Sequence, residues 1–238
     1  MLNLDTCFII AESGTCHADH NHIRKFGRAL EYVHAAKKAG ANAIKFQMFD
    51  DPTKETMFCW IDGDENRNHR WHESRMGLDQ WHLIKQECDR YGIIFLASVF
   101  ENETIKWLID LNVVATKVAS RAAPYLGHFR FAPKPLLVSN GMTEVTDRDD
   151  IIILECEANY PSTLKWSGNF PGFSDHSGGT SMAIDAMNRG CKLIEVHFYT
   201  DPSHAGPDLP ASLSLPELEM ICDNKNALPD LPVSQHQA

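Results

Sequence analysis

Short apolar runs recur eight times along this chain, and segments with a helical pattern separate most of them. Most runs are continuous rather than alternating, which is typical of strands covered on both faces, as in a parallel sheet. The runs are Cys7–Glu12, Ala43–Phe49, Ile93–Val99, Val113–Ser120, Pro135–Gly141, Ile151–Glu157, Gly172–His176 and Lys192–Phe198. This order of strands and helices predicts an α/β fold, a closed (β/α)8 TIM barrel.

The predicted barrel is minimal. The connections after strands four, five and six, at 121–134, 142–150 and 158–171, have room for a turn of helix at most. With 238 residues the chain lies at the lean end of a fold that typically needs about 250. We therefore expect one barrel domain over residues 1–228, followed by a polar C-terminal tail at 229–238. The predicted helices are Ile23–Ala39, Leu78–Arg90, Glu101–Leu111, Thr180–Arg189 and Pro216–Asn224.

Three polar segments interrupt this pattern. The long connection from Asp50 to Gly77 is predicted to be a flexible loop over the barrel rim. The histidines of segment 17–22 are compatible with a metal site or with a polar loop and N-cap; the loop is favoured for His20 and His22, and His17 stays open. The start of the helix at 177–180 is compatible with a phosphate site or with a plain turn.

The basic residues predicted on the solvated face of the first helix are Arg24, Lys25, Arg28, Lys37 and Lys38.

Composition limits the partners. The formal net charge of -10 argues against nucleic acid and against an anionic membrane surface. No apolar run approaches the length of a membrane span, and no signal peptide is visible at the start. The seven cysteines include no Cys-x-x-Cys pair, so we expect reduced thiols and a cytoplasmic location.

Polar side chains collect where the predicted strands end, the face that carries the active site in this fold. Two lysines among them would be costly to bury unless an anion neutralises them, and nearby hydroxyls suit a phosphate or carboxylate. His176 and His197 close two consecutive strands, which places both imidazoles on one rim. Two such ligands with open positions suit a catalytic divalent metal, although loop histidines satisfied by their neighbours are the plain alternative.

Eight motifs then occur in a fixed order. They are Ile9–Gly14, Ala39–Gln47, Lys117–Ser120, Ser139–Met142, Tyr160–Pro161, Ser174–Gly178, Ile194–Phe198 and Gly206–Asp208. Each is weak alone, but together they resemble the catalytic barrel of the N-acetylneuraminate (sialic acid) synthase family, from about Phe8 to Leu218. The resemblance covers the barrel only, and the sequence ends before that family's small C-terminal antifreeze-like domain.

The resemblance implies a condensation of phosphoenolpyruvate with an N-acetylated amino-sugar aldehyde, N-acetylmannosamine or a related sugar, with release of phosphate. It also implies Mn2+ (or Mg2+/Co2+) held by His176 and His197. Glu12, Lys45, Lys117 and Asp208 are the expected catalytic residues; Glu12 matches the glutamate at the reacting centre, and Asp208 also matches a contact to the amino sugar. The expected substrate-binding residues are Gln47, Ser98, Ser120, Ser139, Tyr160 and Ser174, of which Gln47 and Tyr160 match contacts to the sugar and the serines match the phosphoenolpyruvate cradle.

The sequence also departs from the family's pattern. An acidic residue usually follows the lysine motif where Ala122 stands here, and Asn or Ser usually precedes the tyrosine motif where Ala158 stands. The usual Ser-Thr after strand three is Ala97–Ser98. We therefore expect an intact anion and metal half and an altered, more open sugar half.

Two other functions stay open at this point. One is a catalytically impaired barrel that retains metal and phosphoenolpyruvate binding and acts as a binding or assembly subunit, as a homodimer or beside a separate antifreeze-like partner. The other is a metal-dependent phosphate-ester hydrolase on the same barrel.

Overall fold

A closed parallel barrel forms the centre of the molecule. The computed structural model describes residues 2–227. Eight strands pair in chain order, each parallel to the next, and the eighth pairs with the first and closes the barrel. The strands are β1 (Phe8–Gly14), β2 (Ala43–Met48), β3 (Ile94–Val99), β4 (Thr116–Val118), β5 (Leu136–Ser139), β6 (Ile151–Glu155), β7 (Gly172–Asp175) and β8 (Leu193–Tyr199). The predicted (β/α)8 fold is confirmed.

Helices occupy most of the connections between the strands. They are α1 (His22–Lys38), α2 (Glu65–Ser74), α3 (Leu78–Tyr91), α4 (Asn102–Asp110), α5 (Thr180–Asn188), α6 (Pro202–Ala205) and α7 (Leu215–Ala227). The shortened connections are confirmed: 3₁₀ turns within Ser120–Phe131 follow β4, and irregular chain follows β5 and β6. The predicted tail at 229–238 lies outside the described residues. Within residues 2–227, no helix is long and apolar enough to cross a membrane.

Two local predictions are wrong, and the first concerns the segment from Asp50 to Gly77. Instead of an irregular loop it contains α2, which begins where the Asp64 side chain accepts a hydrogen bond from the backbone N–H of Arg67. Trp71 of this helix is buried against Phe49 and Phe100. Because α2 has few apolar contacts, its sequence lacks the apolar periodicity by which a helix can be predicted.

The second wrong prediction is the solvated position of Lys25 on α1, because this residue is buried. Its Nζ atom donates to the backbone carbonyl of Arg75 at 2.7 Å, at the end of α2. In addition, a short ninth strand that the sequence does not predict, β9 (Ser212–Ser214), pairs with the end of β8. Both differences arise from contacts between segments that are distant in the sequence.

The turn at 177–180 has a steric explanation. Gly178 adopts a φ of +72°, and a Cβ atom there would lie 2.2 Å from the carbonyl oxygen of Pro210. Glycine is therefore required by the close approach of the neighbouring backbone. The phosphate site considered at this helix start stays a prediction.

The barrel interior has two levels. The lower level is an apolar cluster from inward-facing strand positions: Phe8, Ile10, Ala43, Leu96, Ala115, Leu137, Leu154 and Leu193. Two residues further along a strand, the side chain faces inward again, one layer higher. In six of the strands that next position is polar, and it is occupied by Glu12, Lys45, Ser98, Lys117, Ser139 and Glu195. The polar layer therefore rests on an apolar floor.

Candidate active site

A cavity opens above this floor, at the carboxyl ends of the strands. All twelve of the predicted site residues line it, although they come from positions between 12 and 208 of the chain. They are Glu12, Lys45, Gln47, Ser98, Lys117, Ser120, Ser139, Tyr160, Ser174, His176, His197 and Asp208. The structure thus brings together the expected anion, metal and sugar groups, and their roles stay predictions.

The two lysines point toward a carboxylate that is not among the predicted site residues. Glu195 lies 3.7 Å from Nζ of Lys45 and 3.6 Å from Nζ of Lys117, each measured to one of its carboxylate oxygens. Ser174 donates a hydrogen bond of 3.0 Å to Glu195. Since Glu195 stands two residues before His197 on β8, its inward direction follows from strand parity. The protein itself supplies negative charge between the lysines.

The remaining contacts of the lysines complete this layer. Lys45 forms an ion pair of 2.7 Å with Glu12, and Lys117 donates to the hydroxyl of Ser139 at 2.8 Å. All four charged side chains are buried. The layer thus holds two ammonium groups, two carboxyl groups and serine hydroxyls, a set suited to an anion that carries its own acceptors.

The two carboxyl groups titrate in opposite directions. Burial raises the pKa of Glu12 above its usual range, although Lys45 opposes the shift. Burial also opposes ionisation of Glu195, but Lys117 and Lys45 outweigh it and hold the pKa of Glu195 below its usual range. Glu195 is therefore the fixed negative charge of the layer, and Glu12 is the carboxyl better able to exchange a proton near neutral pH.

His176 and His197 face a common point. The Nε2 atoms of both rings lie 3.3 Å from the Tyr160 hydroxyl, and the ring centroids are 5.5 Å apart. Nδ1 of His176 donates to the backbone carbonyl of Glu157 at 2.6 Å, which leaves Nε2 unprotonated, with the hydroxyls of Tyr160 and Ser174 beside it. Burial lowers the pKa of His176 to about 4 and that of His197 to about 3, so both rings are neutral at neutral pH.

This donor set fits a divalent transition metal with open positions. Neutral imidazoles that converge on one point are the ligands such an ion requires, and a carbonyl contact on the opposite ring nitrogen is the usual support. Residues 2–227 contain no group of three or more His, Cys, Asp or Glu side chains arranged to hold a metal.

The cavity also contains groups that the sequence does not predict. Arg67 and Trp71 of α2 and Arg121 after β4 all line it, together with Ala158. Ala122, by contrast, is buried in the core and does not line the cavity, so only one of the two alanine departures faces the site. The signal for Arg121 is its position directly after Ser120. No local signal marks Arg67, because it lies in a segment rich in charged residues.

His17 is excluded as a metal ligand by its surroundings. The ring is buried edge-on against Phe46 and Trp81, and Nε2 donates to the backbone carbonyl of Ser74 at 3.0 Å. Burial in this apolar site lowers the pKa of His17 to about 3. Its role is structural, because it satisfies a carbonyl at the end of α2.

We expect His17 to make the fold sensitive to acid. Below a pH of about 6.5 the unfolded chain binds a proton at this residue and the folded chain does not, so stability falls as the pH falls toward 3. The loss is up to about 1.4 kcal/mol per pH unit, or roughly 2 kcal/mol between pH 6.5 and 5. His17→Gln keeps a hydrogen-bond donor for the carbonyl of Ser74 and should remove this part of the pH dependence of stability. Urea unfolding at pH 7 and pH 5 measures the difference. An unchanged pH dependence in His17→Gln would contradict this role, and the exposed His22→Gln serves as the control.

The fold and the cavity define a (β/α)8 barrel with a buried layer of lysines, carboxyl groups and serines and with two converging histidines at the carboxyl ends of its strands. Comparison with known proteins then gives the family. The sequence profile of the NeuB family matches residues 32–231, and the chain belongs to that family. The predicted membership of the sialic acid synthase family is confirmed.

Individual relatives agree with this assignment. The chain is 30% identical to the N,N'-diacetyllegionaminic acid synthase of Legionella pneumophila, over 91% of this chain and 70% of the relative. It is 27% identical to the N-acetylneuraminate-9-phosphate synthase of Drosophila melanogaster, over 92% of this chain and 67% of the relative. The crystal structure of the N-acetylneuraminic acid synthetase of Leptospira borgpetersenii has the same fold, with a TM-score of 0.79 at 23% identity, covering 94% of this chain and 84% of that one.

Proposed function

We propose that this chain condenses phosphoenolpyruvate with an amino-sugar aldehyde and releases phosphate, with a divalent ion at His176 and His197. The observation that carries the proposal is the cavity itself. It brings the lysine and serine layer into the same space as the converging histidines and the polar residues Gln47, Tyr160 and Asp208. The family membership supports the same reaction class.

The polar layer suits phosphoenolpyruvate. Its phosphate and carboxylate would accept hydrogen bonds from Lys45 and Lys117 and from the hydroxyls of Ser139 and Ser174. Glu195 offsets the repulsion between the two lysines, because it lies 3.7 Å from one and 3.6 Å from the other. Because the layer is buried, these charge-assisted hydrogen bonds act in a medium that screens them weakly.

The histidines suit Mn2+ (or Mg2+/Co2+). When bound, such an ion acts as a Lewis acid toward the oxygen of an aldehyde. Tyr160 stands beside both rings and would position the sugar at the same place. Glu12, whose pKa burial raises, would take the proton of the water that adds to the enol carbon of phosphoenolpyruvate.

A phosphate-release assay tests the reaction. The protein with Mn2+ is supplied with phosphoenolpyruvate and a panel of N-acetylated hexoses, and free phosphate is measured. We expect release that requires both substrates. Binding of Mn2+ and phosphoenolpyruvate without turnover would instead support the impaired barrel, and release from simple phosphate esters without an acceptor would support the hydrolase.

N-acetylmannosamine itself is expected to be a poor acceptor. Ala158 lines the cavity where the family's usual pattern has a hydrogen-bonding side chain, and each missing hydrogen bond costs about 0.5–1.5 kcal/mol. We expect kcat/KM for this sugar below about 10⁴ M⁻¹s⁻¹. Ala158→Asn should raise it roughly 2- to 13-fold, which corresponds to one such bond.

The second alanine provides a contrast. Ala122→Glu would place a carboxylate in the core, because Ala122 is 0% exposed, and should lower the melting temperature rather than restore activity. If Ala158→Asn left kcat/KM unchanged, or the original chain used N-acetylmannosamine efficiently, the interpretation of the sugar site would be wrong.

A further inference from the structure

Two guanidinium groups in the cavity have no part in the proposed reaction. Arg67 comes from α2, and Arg121 follows β4, so they reach the cavity from separate segments. Arginine offers a rigid fork of donors that matches the oxygens of phosphate and carboxylate groups. The presence of two such groups in one cavity therefore points to an anion.

Arg121 has no anionic partner of its own. Its side chain is half-buried, and its Nη1 atom is shielded from solvent without a hydrogen-bond acceptor. No carboxylate within residues 2–227 forms an ion pair with it, and its guanidinium lies 5.7 Å from the ring centre of Trp71. Burial lowers the pKa of Arg121, which reflects the cost of holding this charge away from water. A buried guanidinium donor without an acceptor is costly unless a ligand supplies one.

Arg67 is less free than Arg121. Its Nε atom donates to Asp64 at 3.0 Å, and its Nη1 atom lies 3.9 Å from a carboxylate oxygen of Asp208. The contact with Asp64 holds the side chain in place and leaves its end directed toward the cavity residue Asp208. Arg67 therefore suits a supporting contact, and Arg121 suits the main one.

The two arginines lie beside the residues expected to contact the sugar rather than among the contacts of the lysines. Arg121 packs over Trp71, which is on the same helix as Arg67, and Nη1 of Arg67 lies 3.9 Å from a carboxylate oxygen of Asp208. Lys117 instead contacts Glu195 and Ser139. Moreover, Glu12 and Glu195 already supply the lysine layer with negative charge, whereas Arg121 forms no ion pair within residues 2–227. The uncompensated positive charge thus lies beside the residues expected to contact the sugar.

We infer that the acceptor sugar carries an oxyanion, a phosphate or a carboxylate, and that Arg121 binds it with support from Arg67. This inference rests on the proposed function, because it names the class of acceptor for that reaction. A charged contact of this kind would replace the neutral contact that is missing at Ala158. The site would then select anionic N-acetylated sugars over their neutral parents.

Calorimetry on the whole chain tests the inference directly. The ligands are N-acetylmannosamine 6-phosphate, the corresponding uronic acid and the neutral sugar, each titrated in EDTA with and without saturating phosphoenolpyruvate. We expect at least tenfold tighter binding of one anionic sugar than of the neutral sugar, and the two anions distinguish a phosphate from a carboxylate subsite. The preference should persist when phosphoenolpyruvate is bound.

The variants separate this subsite from general effects of charge. Arg121→Gln should weaken the preferred anionic sugar at least tenfold, leave the neutral sugar unchanged, and not lower the melting temperature. Arg67→Gln should act in the same direction by a smaller factor. Arg90→Gln, at an exposed arginine of α3, is the matched control and should change neither affinity.

Three results would overturn the inference. The neutral sugar binds as tightly as both anionic sugars; Arg121→Gln leaves the anionic sugars unaffected; or Arg121→Gln weakens phosphoenolpyruvate instead, in which case the arginines bind the phosphate of that substrate. Phosphate release with Mn2+ is measured in parallel. Binding of an anionic sugar that depends on Arg121, without phosphate release, would support the subsite and refute the proposed reaction. Phosphate release with neutral sugars that is unchanged in Arg121→Gln would support the proposed reaction and refute the subsite.

Discussion

Replacing His197 by alanine is expected to lower kcat/KM by about 10³-fold or more and to weaken Mn2+ binding. The ring is buried, neutral and directed with His176 toward one point, so either replacement removes one of the two donors that we propose for the ion. Lewis-acid assistance by a bound metal supplies several kcal/mol, and about 4 kcal/mol corresponds to that factor. His176→Ala should have the same effect.

Activity alone does not separate the loss of a metal from damage to the site. Mn2+ titration by calorimetry and circular dichroism are therefore measured on the same samples. We expect weaker Mn2+ binding with an unchanged spectrum, and an unchanged result for His22→Ala, at an exposed histidine on α1. Retention of Mn2+ affinity in both His176→Ala and His197→Ala would rule out this pair as the metal site.

Replacing Glu195 by glutamine is expected to destabilise the fold by about 3–5 kcal/mol, the usual cost of breaking a buried ion pair by removing one partner. The change leaves Lys45 and Lys117 facing each other, with only Glu12 to compensate them. Urea unfolding at neutral pH measures the loss. Glu103→Gln, which breaks a surface pair with Lys106, is the matched control and should cost at most about 1 kcal/mol.

A second substitution identifies the cause. Lys117→Met in the Glu195→Gln background removes the uncompensated ammonium group and should recover much of the lost stability, because the remaining Lys45 still pairs with Glu12. Phosphoenolpyruvate should raise the melting temperature of Glu195→Gln more than that of the original chain, since its anionic groups can replace the lost carboxylate. If the double variant loses at least as much stability as the two single changes together, charge compensation is not the reason for the loss.

The barrel could be predicted from the sequence because its cause is local and repeated. A strand buried on both faces is apolar along most of its length, and this requirement leaves an apolar run in the sequence at each of the eight strands. Strand parity also determines which side chains face inward, so residue order is enough to assign Glu12, Lys45 and Lys117 to one level. The same parity assigns Glu195 to this level, but the family motifs single out His197 and not Glu195 as a site residue.

The errors fall where contacts between distant segments outweigh local pattern. Lys25 lies on a helix face that is polar by composition, yet the end of α2 covers it and accepts its hydrogen bond. The helix α2 itself is held by Trp71 against strand ends and their following loops, which no spacing within Asp50–Gly77 indicates. His17 resembles a metal ligand only because other histidines follow it in the sequence.

The sequence by itself determined the fold class, the inward level of charged residues and the pair of histidines, because each depends on residue type and on the two-residue period of a strand. The tertiary structure alone decided which groups share a cavity and which charges are compensated. Arg67 and Arg121 lie far apart in the chain, and only the packing of α2 over the barrel mouth places both in the same cavity. Electrostatic energy depends on distance and burial in space, and neither can be obtained from residue order.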